Sequence, residues 1–222
     1  MSFGYDHRLE QWLSAAIGAV VAPLLFFQQT VLLFPLLTAA VILFALLFLF
    51  RLPEITEVHH RLGWIILGLV YLPFLLGHLI PLRMLPQGRE WIFMTLIVIM
   101  SCDSFAYFIG RKLGKNKLYP AVSPNKSIEG ALGGLLGAVL AVLLVKYTFL
   151  PTIGMFSAVL IGLILGIMGQ LGDLFESLLK RACQVKDSGT MIPGHGGILD
   201  RLDSLLFAFP LVYYIARYGY GG

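Results

Sequence analysis

The chain has 222 residues, of which 58% are hydrophobic and only 13% charged, with a formal net charge of +4. Its mean hydropathy is +0.86. A soluble protein of this size has too small a core to hide so much apolar surface, so composition excludes a disordered chain, a nucleic-acid-binding basic domain and an ordinary soluble enzyme, and makes lipid the main solvent. Two cysteines, Cys102 and Cys183, make no disulfide framework. No cleavable leader is expected at the amino end, where Asp6 and Glu10 interrupt the start.

In chain order, seven apolar stretches are long enough, or nearly so, to cross a bilayer as helices. They are Gln11–Phe27, Val31–Phe50, Leu62–Pro81, Trp91–Gly110, Gly130–Phe149, Gly154–Gly172 and Leu202–Tyr218. The first two form a tight hairpin about Gln28-Gln29-Thr30. Pro23, Pro35, Pro73 and Pro210 fall inside spans, where neighbouring helices and hydroxyls satisfy the freed carbonyls. The sixth span is expected to continue past the membrane to about Ala182. The fold class is therefore all-α: a polytopic helical membrane protein with about seven transmembrane helices. Residues 1–90 read as amino-terminal transmembrane helices that serve as scaffold and lipid cavity. Residues 91–222 read as a catalytic transmembrane region with loops at 111–129 and 173–203.

Orientation follows from Lys and Arg, which accumulate on the cytoplasmic side. With the amino terminus cytoplasmic, twelve of the sixteen lie inside: Arg8, Arg51, Arg61, Arg111, Lys112, Lys115, Lys117, Lys126, Lys180, Arg181, Lys186 and Arg201. Arg83, Arg89, Lys146 and Arg217 lie outside. Both polar loops then share the cytoplasmic face. Asp103 and those two loops hold more than half of the chain's charged residues.

Carboxylates at span ends are costly and mark a cavity, a pair or a site. Asp173, Glu176, Ser177, Lys180 and Arg181 share one helical face by spacing, as do Asp200, Asp203 and Ser204 on the last helix. If the two helices meet, three carboxylates converge, and a hard divalent cation resolves their repulsion. Asp173, Asp200 and Asp203 are read as the metal set; Glu176 is read as a salt-bridge partner of Lys180. The connecting segment Lys186-Asp187-Ser188-Gly189 to Pro193-Gly194-His195-Gly196-Gly197 lets backbone N–H groups approach an anion, with Lys180, Arg181, Lys186 and Arg201 beside it. His195 reads equally as a phosphate donor, a general acid or a turn histidine. In the other loop, Ser123, Lys126 and Ser127 stand where a new helix begins, a natural phosphate site. Lys112 and Lys115 read as headgroup attraction.

The run Ser177-Leu-Leu-Lys180-Arg181, then Lys186-Asp187-Ser-Gly, then Ile192-Pro193-Gly-His195-Gly196-Gly197-Ile-Leu-Asp200-Arg201-Leu-Asp203 resembles the signature of the phosphatidate cytidylyltransferases, the CDP-diacylglycerol synthases. Cys102-Asp103-Ser104, Tyr107, Gly110-Arg111, Gly114, Ser123-Pro124, Lys126, Glu129-Gly130 and Gly172-Asp173 with Glu176-Ser177 are similar to the family too. The similarity runs from about Trp91 to the carboxy end; the chain reads as short at its amino end.

The resemblance implies a bacterial inner-membrane enzyme, commonly a homodimer, with its active site facing the cytoplasm. It transfers a cytidylyl group from CTP to phosphatidic acid, needs Mg2+ and is associated with K+. It implies Asp173 and Asp200 as metal carboxylates with Asp203 in support. Lys180, Arg181, Lys186 and Arg201 would bind phosphates, while Asp103, Ser123 and Lys126 would line the nucleotide or lipid-phosphate side. Ser177, His195, Gly196 and Gly197 count among the substrate-binding residues. No nucleic acid is expected as partner. The alternatives are a sibling enzyme acting on an ether-lipid phosphate or a polyprenyl substrate, and, from another class, a transporter.

Overall fold

A computed structural model of the chain describes residues 8–27, 30–51, 58–185, 188, 197 and 199–221. Helices dominate, as composition demands, and the chain divides into two compact units, Met1–Pro81 and Leu82–Gly222.

The first unit contains α1 (Arg8–Phe26), α2 (Thr30–Arg51), α3 (Val58–Leu69), a π-helical turn (Val70–Phe74) and α4 (Leu75–Gly77). A short helix, α5 (Leu79–Met84), follows. The π turn forms around Pro73, whose missing N–H cannot complete a regular helical ladder. Pro23 and Pro35 lie within α1 and α2, as the sequence predicts. A cavity of about 710 Å³ with mostly apolar walls opens among Gly18, Trp64, Gly68, Pro73 and Leu76.

The second unit contains α6 (Gly88–Leu113), a hairpin of β1 (Lys117–Tyr119) and β2 (Ser123–Ser127), then α7 (Ile128–Thr148), α8 (Met155–Ala182) and α9 (Leu199–Gly219). The strands pair antiparallel with a register irregularity between Lys117 and Tyr119. The hairpin falls within the predicted loop 111–129 and is the one β element among the described residues.

The α7 sequence shows how lipid inverts the usual pattern. Its small residues Gly130, Gly133, Gly134 and Gly137 are buried, while Leu132, Leu136, Leu140 and Leu144 are exposed. A Cβ added at Gly130, Gly133 or Gly137 would meet Ala106 O, Ile109 or Phe105 of α6 within 3.0 Å. Small residues let helix backbones approach, and leucines face the hydrocarbon. Ser127 caps α7 by accepting from the Gly130 N–H at 3.1 Å. The core between α6, α8 and α9 is formed by Trp91, Met94, Val98, Leu165, Leu206 and Val212.

As expected, α8 runs on to Ala182. It ends where Gln184 takes a left-handed φ of 57° and the Val185 N–H returns to the Lys180 carbonyl. Lys180 and Arg181 fill its last turn, where cations suit the carbonyl end of the helix.

Among the described residues, four segments are long and apolar enough to cross a membrane: Gly63–Met84, Gly88–Leu113, Ile128–Thr148 and Met155–Ala182. They contain or overlap four of the seven predicted spans. Helices α1 and α2 cover the first two predicted spans but carry shorter apolar stretches, Trp12–Val21 and Pro35–Leu47. Helix α9 covers the last, with Asp203 and Arg217 near its ends.

Candidate active site

One end of the second unit gathers the charge. Gly172 lets α8 touch α9: a Cβ there would stand 2.5 Å from the Asp203 carbonyl oxygen. Asp173 and Asp203 are thereby brought into electrostatic contact, and Asp103 of α6 feels both. Gln170, one turn before, donates to the Ala131 carbonyl at 3.0 Å and to Cys102 Sγ at 3.5 Å, tying α8 to α7 and α6. Cys102 is buried there, whereas Cys183 is exposed; both are free thiols.

Lys126 reaches into this acidic group, with Nζ 2.5 Å from Asp173 Oδ2. Ser177 Oγ stands 3.5 Å from Asp173 Oδ1. Asp203 accepts from the N–H and hydroxyl of Ser204. Ser123 lies on β2 opposite Tyr119, half-buried.

Asp200 has a different set of partners. Its Oδ1 accepts from Lys180 Nζ at 2.7 Å, and its Oδ2 accepts from the Ser188 N–H, the Ser188 hydroxyl and the Gly197 N–H at 2.9, 2.7 and 2.8 Å. Lys180 also pairs with the fully buried Glu176, as the i, i+4 spacing predicts. Glu176 Oε1 has no hydrogen-bond partner among the described residues. Asp200 stands on the first turn of α9, before its apolar run. Burial there pushes the carboxyl upward, but the bonds from Lys180, Ser188 and Gly197 outweigh it and hold Asp200 well below the usual carboxylate range. Asp200 therefore carries its charge throughout the neutral range. Its contribution to stability is full above the ordinary carboxylate range and is lost as pH falls through its depressed pKa.

The predicted three-carboxylate set is thus distributed over two groups. Asp173 and Asp203 lie with Asp103 around Lys126; Asp200 lies with Glu176 around Lys180. No three His, Cys, Asp or Glu among the described residues form a metal-binding group by themselves. A Mg2+ ion, however, ordinarily takes one or two carboxylates with phosphates and water. Asp173 and Asp203 suit that mode, because they interact electrostatically with each other and with Asp103, while Lys126 is ion-paired with Asp173.

A cavity of about 530 Å³ opens beside this group. Its walls include Asp103, Tyr107, Arg111, Asn125, Lys126, Gln170 and Asp173. The hairpin that covers it is fastened at its base. Glu129 accepts from the N–H groups of Lys115 and Asn116 and from the Asn116 side chain. Arg181 Nε donates to the Val122 carbonyl at 3.4 Å, so this predicted phosphate ligand also braces the hairpin turn. Arg201 is exposed on α9. Lys186, His195 and Gly196 lie outside the described residues. Sequence reasoning singled out neither Ser188 nor Gln170. Ser188 stands within the quoted Lys186–Gly189 run, but its part in holding Asp200 is a contact between residues twelve apart in the chain.

With this geometry in place, comparison with known proteins gives one result. The cytidylyltransferase family matches residues 4–218. A phosphatidate cytidylyltransferase of Bacillus subtilis (strain 168) is 47% identical over 178 residues, covering 78% of this chain and 66% of that protein. Those of Staphylococcus haemolyticus and Staphylococcus aureus (strain COL) are 45% and 44% identical over 126 residues, covering 57% of this chain and 48% of each relative. The matches thus span about half to two thirds of the length of these curated relatives.

Proposed function

The chain belongs to the cytidylyltransferase family, and from that membership we propose that it transfers a cytidylyl group from CTP to phosphatidic acid, giving CDP-diacylglycerol and pyrophosphate. The observation that carries this reading is the gathering of Asp103, Lys126, Asp173 and Asp203 beside a cavity at one end of the helical unit. The proposed setting is a bacterial plasma membrane, with seven spans, the amino terminus and the site cytoplasmic, and two copies forming a homodimer. K+ accompanies Mg2+ in this reading.

In the proposed reaction a phosphate oxygen of phosphatidate attacks the α-phosphorus of CTP. A new P–O bond forms as the α–β P–O bond breaks, and pyrophosphate leaves with the electron pair. Phosphatidate is already anionic near neutral pH, so the reaction makes no demand for a strong general base. The obstacle is repulsion between two polyanions, and positioned cations lower it. Mg2+ held by Asp173 and Asp203 would supply Lewis-acid stabilisation of phosphate charge. Lys126 stands beside those carboxylates and offers an ammonium to the same region. Lys180 holds Asp200, and Asp200 in turn accepts from the Ser188 and Gly197 amides. The charged ends of the helices keep this chemistry near the headgroup plane, where a lipid substrate remains in its bilayer.

The test is the purified chain in nanodiscs with labelled CTP, with and without phosphatidate and Mg2+. Labelled CDP-diacylglycerol and pyrophosphate should form only when all three are present. Product with an ether-lipid phosphate or a polyprenyl substrate, and none with phosphatidate, would transfer the assignment to that lipid. Absence of pyrophosphate with every lipid would revive a transport role. In the same assay Lys126→Ala should weaken substrate use by about tenfold or more while the protein still inserts, because a charge-assisted phosphate contact is lost. Unchanged kinetics would return Lys126 to topogenic charge.

A further inference from the structure

The cavity wall carries a second cation. Arg111 lies on α6 two turns beyond Asp103, at i+8, about 12 Å along the helix axis. Tyr107, at the intermediate i+4 position, also lines the cavity. Arg111 Nη1 donates to Tyr107 Oη at 3.0 Å. The two cavity cations are used differently. Lys126 is neutralised by Asp173, whereas Arg111 makes no ion pair among the described residues. A guanidinium that spends one donor on a phenol oxygen keeps most of its five donors available. Its planar fork suits a phosphate better than a point-charge ammonium does. Asn125 and Leu118 of the hairpin segment line the same cavity, so a bound anion would lie between helix and hairpin.

We propose that Arg111, oriented by Tyr107, binds a substrate phosphate in this cavity. The proposal rests on the reading that the substrates carry phosphate, and it adds a residue pair to the site. CTP and phosphatidate share that chemistry. With one phosphate on Arg111, a substrate extends along α6 towards the acidic group at Asp103 and Asp173. Tyr107 is a positioning residue: it touches the guanidinium and sets its plane.

Binding and turnover arms test this with the full chain in nanodiscs. Equilibrium binding of labelled CTP and of labelled short-chain phosphatidate needs no catalysis, so it distinguishes failure of this proposal from failure of the proposed activity. Arg111→Ala should weaken one of the two ligands by about tenfold, the loss expected of a charged hydrogen bond. It should also raise KM for that same substrate far more than it lowers kcat. The affected ligand identifies the phosphate's source. Arg111→Lys should restore only part of the affinity, because it keeps charge without the fork. Tyr107→Phe should weaken the same ligand by about threefold. Unchanged binding of both ligands in Arg111→Ala would overturn the proposal. So would an equal loss towards phosphatidylglycerol, which marks general attraction to anionic headgroups. If Arg111→Ala does not insert, Tyr107→Phe decides alone: a shift confined to one ligand upholds the proposal, and unchanged binding overturns it.

Discussion

Asp200→Asn should abolish CTP- and Mg2+-dependent formation of CDP-diacylglycerol in a protein that still inserts and folds. The substitution nearly preserves shape and removes the charge. One carboxylate now receives Lys180 on Oδ1 and three donors from Ser188 and Gly197 on Oδ2. An asparagine has one acceptor oxygen. If that oxygen keeps Ser188 and Gly197, the amide NH2 faces the Lys180 ammonium; if it turns to Lys180, the NH2 faces the loop donors. Either way a donor meets a donor, and among the described residues Lys180 retains only Glu176 as an anionic partner. Removing one partner of a largely buried charge pair costs about 3–5 kcal/mol. Part of that cost falls on the Ser188 and Gly197 contacts that Asp200 holds. The expected loss of kcat/KM is about 10³-fold or more. The assay is product formation in nanodiscs alongside a check of insertion. Near-normal activity would sink the assignment of Asp200 to the site.

Gly172→Ala should be nearly as damaging by a different route. The added methyl would lie 2.5 Å from the Asp203 carbonyl oxygen and 3.3 Å from Ser204 Cα, both backbone atoms. A flexible side chain could yield; a helix backbone moves as a unit. The ends of α8 and α9 must therefore separate, and Asp173 moves away from Asp203. Overpacking of this kind costs about 1–3 kcal/mol in stability. The larger effect falls on chemistry, because a misplacement of about 1 Å costs about 10²-fold in rate. Gly63→Ala serves as the control, since nothing lies within 4 Å of the added carbon. Measured together, Gly172→Ala should lose about 10²-fold in activity and Gly63→Ala should match the parent chain. Full activity in Gly172→Ala would show that the α8–α9 contact does not set the site.

The same glycine marks the limit of what spacing reveals. Asp173 and Asp203 fall on readable helical faces, and their approach needed only that α8 and α9 meet. Nothing in their sequence spacing specifies which side of each helix faces the other. Spacing also suggested that Asp200 would join them. In the folded chain Lys180 projects from the last turn of α8 and takes Asp200 together with Glu176, so the carboxylates divide between two lysines. Long side chains choose partners by three-dimensional reach.

Composition and apolar runs by themselves determined a helical membrane protein, because lipid offers backbone groups no hydrogen-bond partners and helices satisfy their own. The prolines inside helices, the extension of α8 to Ala182 and the Glu176–Lys180 pair follow from local geometry, and all are present. The signature residues are contiguous enough to identify a family before any fold is known. Only tertiary structure decided that α7 turns its glycines to α6, that Asp103 joins Asp173 and Asp203, and that Glu129 fastens a hairpin over a cavity. These contacts join residues far apart in the chain. Their formation depends on helix rotation and approach, which small residues permit but whose partner helix they do not name.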